Sequence, residues 1–260
     1  MKKILIKIFH QLFVLLGQHR AKHLLWGALA RTMKESYSPG GEGEDYLLTV
    51  LSNQNSSLCI IDVGANVGMW SKKVAQKLPG SKIYAIEAVS EFFDKIDTSN
   101  ICEKYNIALS DKEGILKIFQ SGGGAKPLAK NTKGKETVIH EVRALTGDQF
   151  VDENNIKKVD FIKIDTDGFD YQILSGFGAV INRDQPLLQF ELSHWWLNLG
   201  YTIKLAEKFF SEKQYSLFIM KDDGLYLLEY QIPDHLFITA NILAIHNSKL
   251  HSIESARQSK

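Results

Sequence analysis

Acidic side chains close several apolar runs in this chain. In an open α/β sheet, ligands bind outside the carboxyl ends of the strands, which is where such acids come to lie. Asp62 follows Leu58-Cys59-Ile60-Ile61 and precedes Val63-Gly64-Ala65-Asn66-Val67-Gly68. Gly64 and Gly68 permit a tight turn and a close backbone approach to a ligand. A second apolar run, residues 82–86, ends in Glu87. That acid stands about the usual ~20 residues beyond the glycine turn, where a carboxylate can accept both hydroxyls of a ribose. A dinucleotide fingerprint would want glycine at the middle position, so that the backbone reaches a pyrophosphate. Asn66 holds that place. A side chain there argues against pyrophosphate, whereas a cofactor without phosphates, such as S-adenosylmethionine (SAM), tolerates it. The plainer alternative is that Asp62 and Glu87 are ordinary strand-end acids near helix N-termini.

The blocks that carry a family resemblance lie in order along the chain. Ile60-Ile61-Asp62-Val63-Gly64-Ala65-Asn66-Val67-Gly68 resembles motif I of the Class I SAM-dependent methyltransferases, most closely the FkbM-type subgroup. Tyr105-Asn106-Ile107-Ala108-Leu109-Ser110-Asp111-Lys112-Glu113-Gly114 is a second match. Asp160-Phe161-Ile162-Lys163-Ile164-Asp165-Thr166-Asp167-Gly168-Phe169-Asp170 is similar to that subgroup's D-x-I-K-I-D-x-E-G-x-E block. Asp167 and Asp170 replace its glutamates with a shorter acid, which puts their reach in question. The resemblance implies a Rossmann-like seven-stranded methyltransferase sheet, mostly parallel, with an antiparallel C-terminal strand. It also implies a SAM site made by Asp62, Gly64, Ala65, Asn66, Gly68, Glu87, Ala88, Asp111 and Asp165. Asp111 would lie near the adenine ring and could accept from its exocyclic amine; the alternative is a turn residue before Gly114. The region of Glu42, Glu44 and Asp45 would cover the cofactor, although capping a helix start is the simpler role for those acids.

Methyl transfer to a hydroxyl needs a group to take the proton. Candidates for that base are His194, Asp165 and Glu191, of which His194 titrates nearest neutral pH. Glu191, His194, Trp195 and Trp196 follow one another at the end of an apolar run. Two indoles suit the apolar faces of an acceptor's rings, but a core-packing aromatic pair reads equally well. Asp165 and Glu191, with or without His194, could instead hold a divalent metal such as magnesium, though no ligand spacing demands one.

The elements that must hold these groups are legible in outline. Residues 58–62 form a short, β-branched apolar run, expected as a buried parallel strand. Residues 69–78 have helical spacing and stop at Pro79-Gly80. Further strands are expected at 105–109, 115–119, 137–142, 159–164, 187–192, 215–220, 224–230 and 241–246. Helices are expected at 44–52, 91–96, 169–177 and 202–213. Ser121-Gly122-Gly123-Gly124-Ala125-Lys126 lacks the G-K-[S/T] of a phosphate loop and reads as a hairpin tip beside the site.

At 260 residues, 44% hydrophobic and 23% charged, the chain suits one α/β domain with an extension. A net charge of +1, with no basic stripe, gives no case for nucleic acid. Neither of the two cysteines, Cys59 and Cys102, sits in a disulfide or zinc pattern, which fits a reducing, cytoplasmic setting. Residues 1–37 are a basic amphipathic extension with no acid before residue 35. They are expected as a helical cap on the domain, a membrane-surface helix or a signal; Lys7, His10 and Gln11 interrupt any spanning run. Residues 44–246 make the methyltransferase domain. Residues 247–260 read as a polar, disordered tail. The expected activity is O-methylation of a sugar, glycan or related metabolite, and that acceptor class comes from the resemblance alone. The rivals are an NAD-dependent oxidoreductase and a binding module without turnover.

Overall fold

The fold grows from runs of β-branched and aliphatic residues that alternate sides along each strand. A computed structural model describes residues 43–53, 57–99, 103–121, 124–127, 137–192, 196, 199–228 and 240–256. The basic extension, Cys102, the tip of the glycine-rich hairpin, His194 and Trp195 lie outside the described residues. Five strands meet in parallel: β1 (Cys59–Val63), β2 (Lys82–Ile86), β3 (Glu103–Tyr105), β8 (Phe161–Ile164) and β9 (Leu187–Leu192). Beyond β9 come β12 (Ala240–His246), β10 (Tyr215–Lys221) and β11 (Gly224–Leu227), joined antiparallel. The order across this sheet is β3-β2-β1-β8-β9-β12-β10-β11. The mostly parallel sheet with an antiparallel C-terminal strand is therefore present, and the turn at Asp222-Asp223 adds an eighth strand.

Both faces of the central strands are covered, as a parallel sheet requires. Ile61, Val63, Ile162, Ile164 and Phe190 face one core with Phe150, Leu174 and Phe177. Ile60, Phe161, Leu243 and Ile245 face the other. There they meet Leu47 and Leu48 of α1 (Glu44–Ser52) and Val74 of α2 (Met69–Lys77). Burying both faces fixes strand register, because a one-residue slip would exchange every side chain between the two cores.

A second sheet has the order β4-β7-β5-β6, from β4 (Ala108–Ser110), β5 (Gly114–Ser121), β6 (Gly124–Pro127) and β7 (Thr137–Thr146). The single strand expected at 105–109 is split between the two sheets. Asn106 causes the break: its Nδ2 donates to the carbonyls of Glu87 and Ala88 at 2.9 and 3.2 Å. Ser90 Oγ donates to its Oδ1 at 2.9 Å. Side-chain bonds of this kind draw the backbone out of one ladder before it enters another.

The helix expected at 169–177 is shorter than its pattern. It forms α3 (Asp170–Ser175), and a new helix, α4 (Gly178–Asp184), follows. At the break, Gly176 lies so close to β4 that an added Cβ would sit 2.0 Å from the Ser110 carbonyl oxygen. The tail also differs from expectation. Asn247–Ala256 is a 3-10 helix, and Ile253 is 0% exposed in the core beside α1. Leu250 packs there too, and Lys249 Nζ donates to the Asp184 and Gln185 carbonyls, so a few anchors order a segment whose composition alone argues for disorder.

Candidate functional site

The turn after β1 is built by backbone hydrogen bonds to β2. The amides of Gly64 and Ala65 both donate to the Ile86 carbonyl, at 2.9 and 3.0 Å. Gly64 has φ +80°, and a Cβ there would sit 2.0 Å from the backbone oxygen of Asp165. Glycine is thus demanded by the end of β8 passing against the turn. Asn66 also takes a left-handed conformation, φ 51°, a place asparagine tolerates better than most residues. Its side-chain oxygen accepts from the Val67 amide at 2.8 Å.

Glu87 fastens this turn to the loop after β2. The Asn66 amide donates to one of its oxygens and the Val89 amide to the other, each at 2.8 Å. The side chain is held nearly out of solvent, with Glu87 7% exposed. Burial raises its carboxyl above the usual range, and the two amides oppose that rise.

Beside Glu87 lies a cleft of about 190 Å³. Its polar lining comprises Gly64, Asn66, Glu87, Asp165, Thr166 and Asp167. Phe92, Leu116, Ile118 and Phe169 are apolar lining residues, so the second sheet supplies part of the wall through β5. Three carboxylates line the cleft, and among the described residues no lysine, arginine or histidine does. Ala88 and Leu109 are lining residues as well. Among the other residues expected in the cofactor site, Asp62, Ala65, Gly68 and Asp111 do not line it. Asp111 is exposed and accepts from Ser110 Oγ at 2.9 Å.

Asp62 lies beneath the turn and is 0% exposed. Ser71 Oγ of α2 donates to its Oδ2 at 2.6 Å, while its buried Oδ1 has no hydrogen-bond partner. Strand register sets Asp62 beside Lys163 and Lys163 beside Gln189, giving a polar row across the buried centre of the sheet. Gln189 Nε2 donates to Glu44 Oε1 at 2.6 Å. Glu44 therefore reaches the sheet centre; it makes no side-chain cap on α1. Burial raises the Asp62 and Glu44 carboxyls, and Lys163 is the first influence opposing it in each. Burial disfavours the Lys163 charge, but the carboxylates of Asp165, Asp62 and Glu44 outweigh it and raise its pKa. Sequence reading passed over Lys163 and Gln189. The available signal was a charged residue inside the otherwise apolar run Phe161-Ile162-Lys163-Ile164.

A further acidic group continues past the ends of β8 and β9. Asp170 accepts from Thr166 Oγ1 at 3.0 Å and from the amides of Gly168 and Glu191, each at 3.2 Å. Burial, then the Asp165 charge, pushes Asp170 up to about 7. Burial, then the charges of Asp165, Asp170 and Asp167, pushes Glu191 up to about 8. No group of three or more His, Cys, Asp or Glu among the described residues is arranged to hold a metal ion. Trp196, 1% exposed, stacks on Phe190 with ring centres 5.7 Å apart. Of the two readings of that indole, core packing is the one its burial supports.

The geometry can be set beside known proteins. The family model described as "Methyltransferase FkbM domain" matches residues 62–217. A curated relative, "Methyltransferase sdnD" of Sordaria araneosa, is 31% identical over 97 residues, which is 35% of this chain and 35% of that protein. The chain thus matches about a third of that relative's length. Among solved structures, an FkbM methyltransferase from Methylobacillus flagellatus KT is 15% identical with a TM-score of 0.45. The match covers 72% of this chain and 43% of that one. Magnesium protoporphyrin IX methyltransferase from Synechocystis PCC 6803, solved with bound SAM, is 10% identical with a TM-score of 0.40. That match covers 78% of this chain and 77% of the other.

Proposed function

Because the chain belongs to the FkbM methyltransferase family, we propose that it moves the methyl group of SAM to a hydroxyl of a sugar, glycan or related metabolite. The observation that carries the cofactor assignment is the sign of the cleft. Glu87, Asp165 and Asp167 line it, and among the described residues no cation does. Such walls attract a sulfonium cation and repel a pyrophosphate, so they select by repulsion as well as attraction. The donor set therefore fits SAM and disfavours NAD.

When bound, SAM would supply a methyl group already activated on its sulfonium. The chain's own residues then hold and align. Each oxygen of Glu87 spends one lone pair on a backbone amide, and a carboxylate has about four such sites. Glu87 can still accept ribose hydroxyls without moving. The apolar wall of Phe92, Leu116 and Ile118 suits a flat base and excludes water. Asp62, Ala65 and Gly68 shape the turn from below. The proton of the acceptor hydroxyl goes to His194 or Asp165. Glu191, pushed up to about 8, holds its proton in most molecules near neutrality, so it is less often free to accept one, although its ionised form is the stronger carboxylate base.

The acceptor class rests on the family resemblance and the compartment on the composition of the N-terminal residues. The basic, apolar residues 1–34 favour a cytoplasmic enzyme that touches a membrane surface near a lipid-linked acceptor. No helix among the described residues is long and apolar enough to cross a membrane.

Isothermal titration with SAM, S-adenosylhomocysteine and NAD tests the cofactor. Binding of the first two without the third is expected; binding of NAD alone would overturn it. Transfer of labelled methyl from SAM into an extract separates an enzyme from a binding module without turnover. His194→Ala should retain SAM affinity and lose transfer, and full transfer would remove His194 from the mechanism.

A further inference from the structure

Desolvating an ammonium inside a strand costs several kcal/mol unless its partners replace what water gave. Lys163 is such a group. It lies in β8 among Phe161, Ile162 and Ile164, and its side chain is 5% exposed. Its Nζ donates to Asp165 Oδ2 at 3.0 Å and stands 3.8 Å from Asp62 Oδ1. The same ammonium sits 5.4 Å from the centre of the Trp70 ring. Of its two carboxylate partners, Asp62 is sealed under the glycine turn, whereas Asp165 reaches the cleft wall. One cation therefore ties the floor of the site to its lining.

We propose that Lys163 is a positioning residue: its ammonium holds the Asp165 carboxylate at the cleft and so sets the affinity for cofactor, without touching the cofactor itself. The proposal rests on the SAM reading above. The groups facing Lys163 besides Asp165 are Asp62 on β1, Gln189 on β9, Glu44 at the start of α1 and Trp70 on α2, with Ser71 of α2 bonded to Asp62 and Lys73 of α2 near Glu44. Methionine at 163 would fill much of the space and could not hold Asp165. It would also leave Asp62 without the cation that opposes its burial. Asp62 and Glu44 would then take up protons at higher pH. The acid limb of cofactor binding would move upward in pH, which lost packing alone would not do.

The test is SAM titration of the full chain between pH 5.5 and 8.5, with thermal melts alongside. Lys163→Met should weaken binding about tenfold or more, the size seen when an outer group that orients a ligand-holding residue is lost. Its acid limb should lie at higher pH than in the parent. Lys163→Arg should restore most of the affinity. Asp165→Asn should weaken binding by a similar factor, and the double variant should be no weaker than either single one, because both cut the same link. Parental binding in Lys163→Met, or losses that multiply in the double variant, would overturn the proposal. Should Lys163→Met fail to fold, Asp165→Asn decides alone: it leaves Lys163 and Asp62 in place, and unchanged affinity would sink the idea. A parent protein that ignored SAM would instead overturn the cofactor reading, and this proposal with it.

Discussion

The backbone amide of Asn66 donates to Glu87 Oε2 at 2.8 Å, tying the turn after β1 to the end of β2 across 21 residues of sequence. This bond holds the glycine turn open over the cleft, and Val89 holds the other carboxylate oxygen. Glu87→Ala removes both the clamp and the acceptor proposed for the ribose. SAM affinity should fall at least about tenfold, roughly the value of one charge-assisted hydrogen bond. Isothermal titration reads the change, and an unaltered dissociation constant would remove Glu87 from the site.

Asn66→Gly tests which feature excludes a dinucleotide. The substitution restores glycine at the middle position, yet Glu87, Asp165 and Asp167 still line the cleft. NAD should remain unbound while SAM affinity stays within a few-fold of the parent. Nicotinamide fluorescence on mixing checks the first outcome. Binding of NAD would show that the asparagine side chain, and not cleft charge, was the barrier.

Glu191 makes stability depend on pH. Its carboxyl ionises near 4.5 in the unfolded chain and near about 8 in the fold. Between those values the folded state holds a proton that the unfolded state has released. Stability therefore falls as pH rises through that window, and the loss is complete above about 8. Glutamine cannot ionise. Glu191→Gln should match the parent at pH 4 and exceed it at pH 9 by on the order of 1–3 kcal/mol. Urea melts at the two pH values give the comparison, and an equal difference at both would refute the assignment.

Gly64→Ala should cost more than a usual surface change. Its Cβ would fall 2.0 Å from the Asp165 oxygen, on a backbone with φ +80°. A loss of about 2–4 kcal/mol is expected, because both the clash and the left-handed conformation oppose a side chain. A melting temperature equal to the parent's would show that the turn does not pack against β8 in this way.

Ile253→Ala tests the ordered tail. Ile253 is fully buried beside Leu47 and Leu48. Truncating it should cost about 2–4 kcal/mol, the usual range for a core isoleucine. A disordered tail would make the change silent in a denaturant melt.

The central fold was legible because its strands are continuous apolar runs and its turns carry glycine, proline or asparagine. Residues 58–78 alone indicated a strand, a glycine turn and a helix, since each depends on neighbours in sequence. Asn66 likewise argued against pyrophosphate before any geometry was known. Three features came only from tertiary structure. Strand register brings Asp62, Lys163 and Gln189 side by side, although 101 residues separate the first two strands' hydrogen-bonded partners Cys59 and Asp160. Glu44 was expected to cap a helix, but packing of that helix on the sheet carries it to Gln189. Gly64 was expected to let the backbone approach a ligand; it lines the cleft, and the end of β8 takes the space that a Cβ there would need. Turns and helix starts are settled by a few adjacent residues. Desolvation and charge pairing depend on which strands lie next to each other, and that ordering exists only once the sheet has formed.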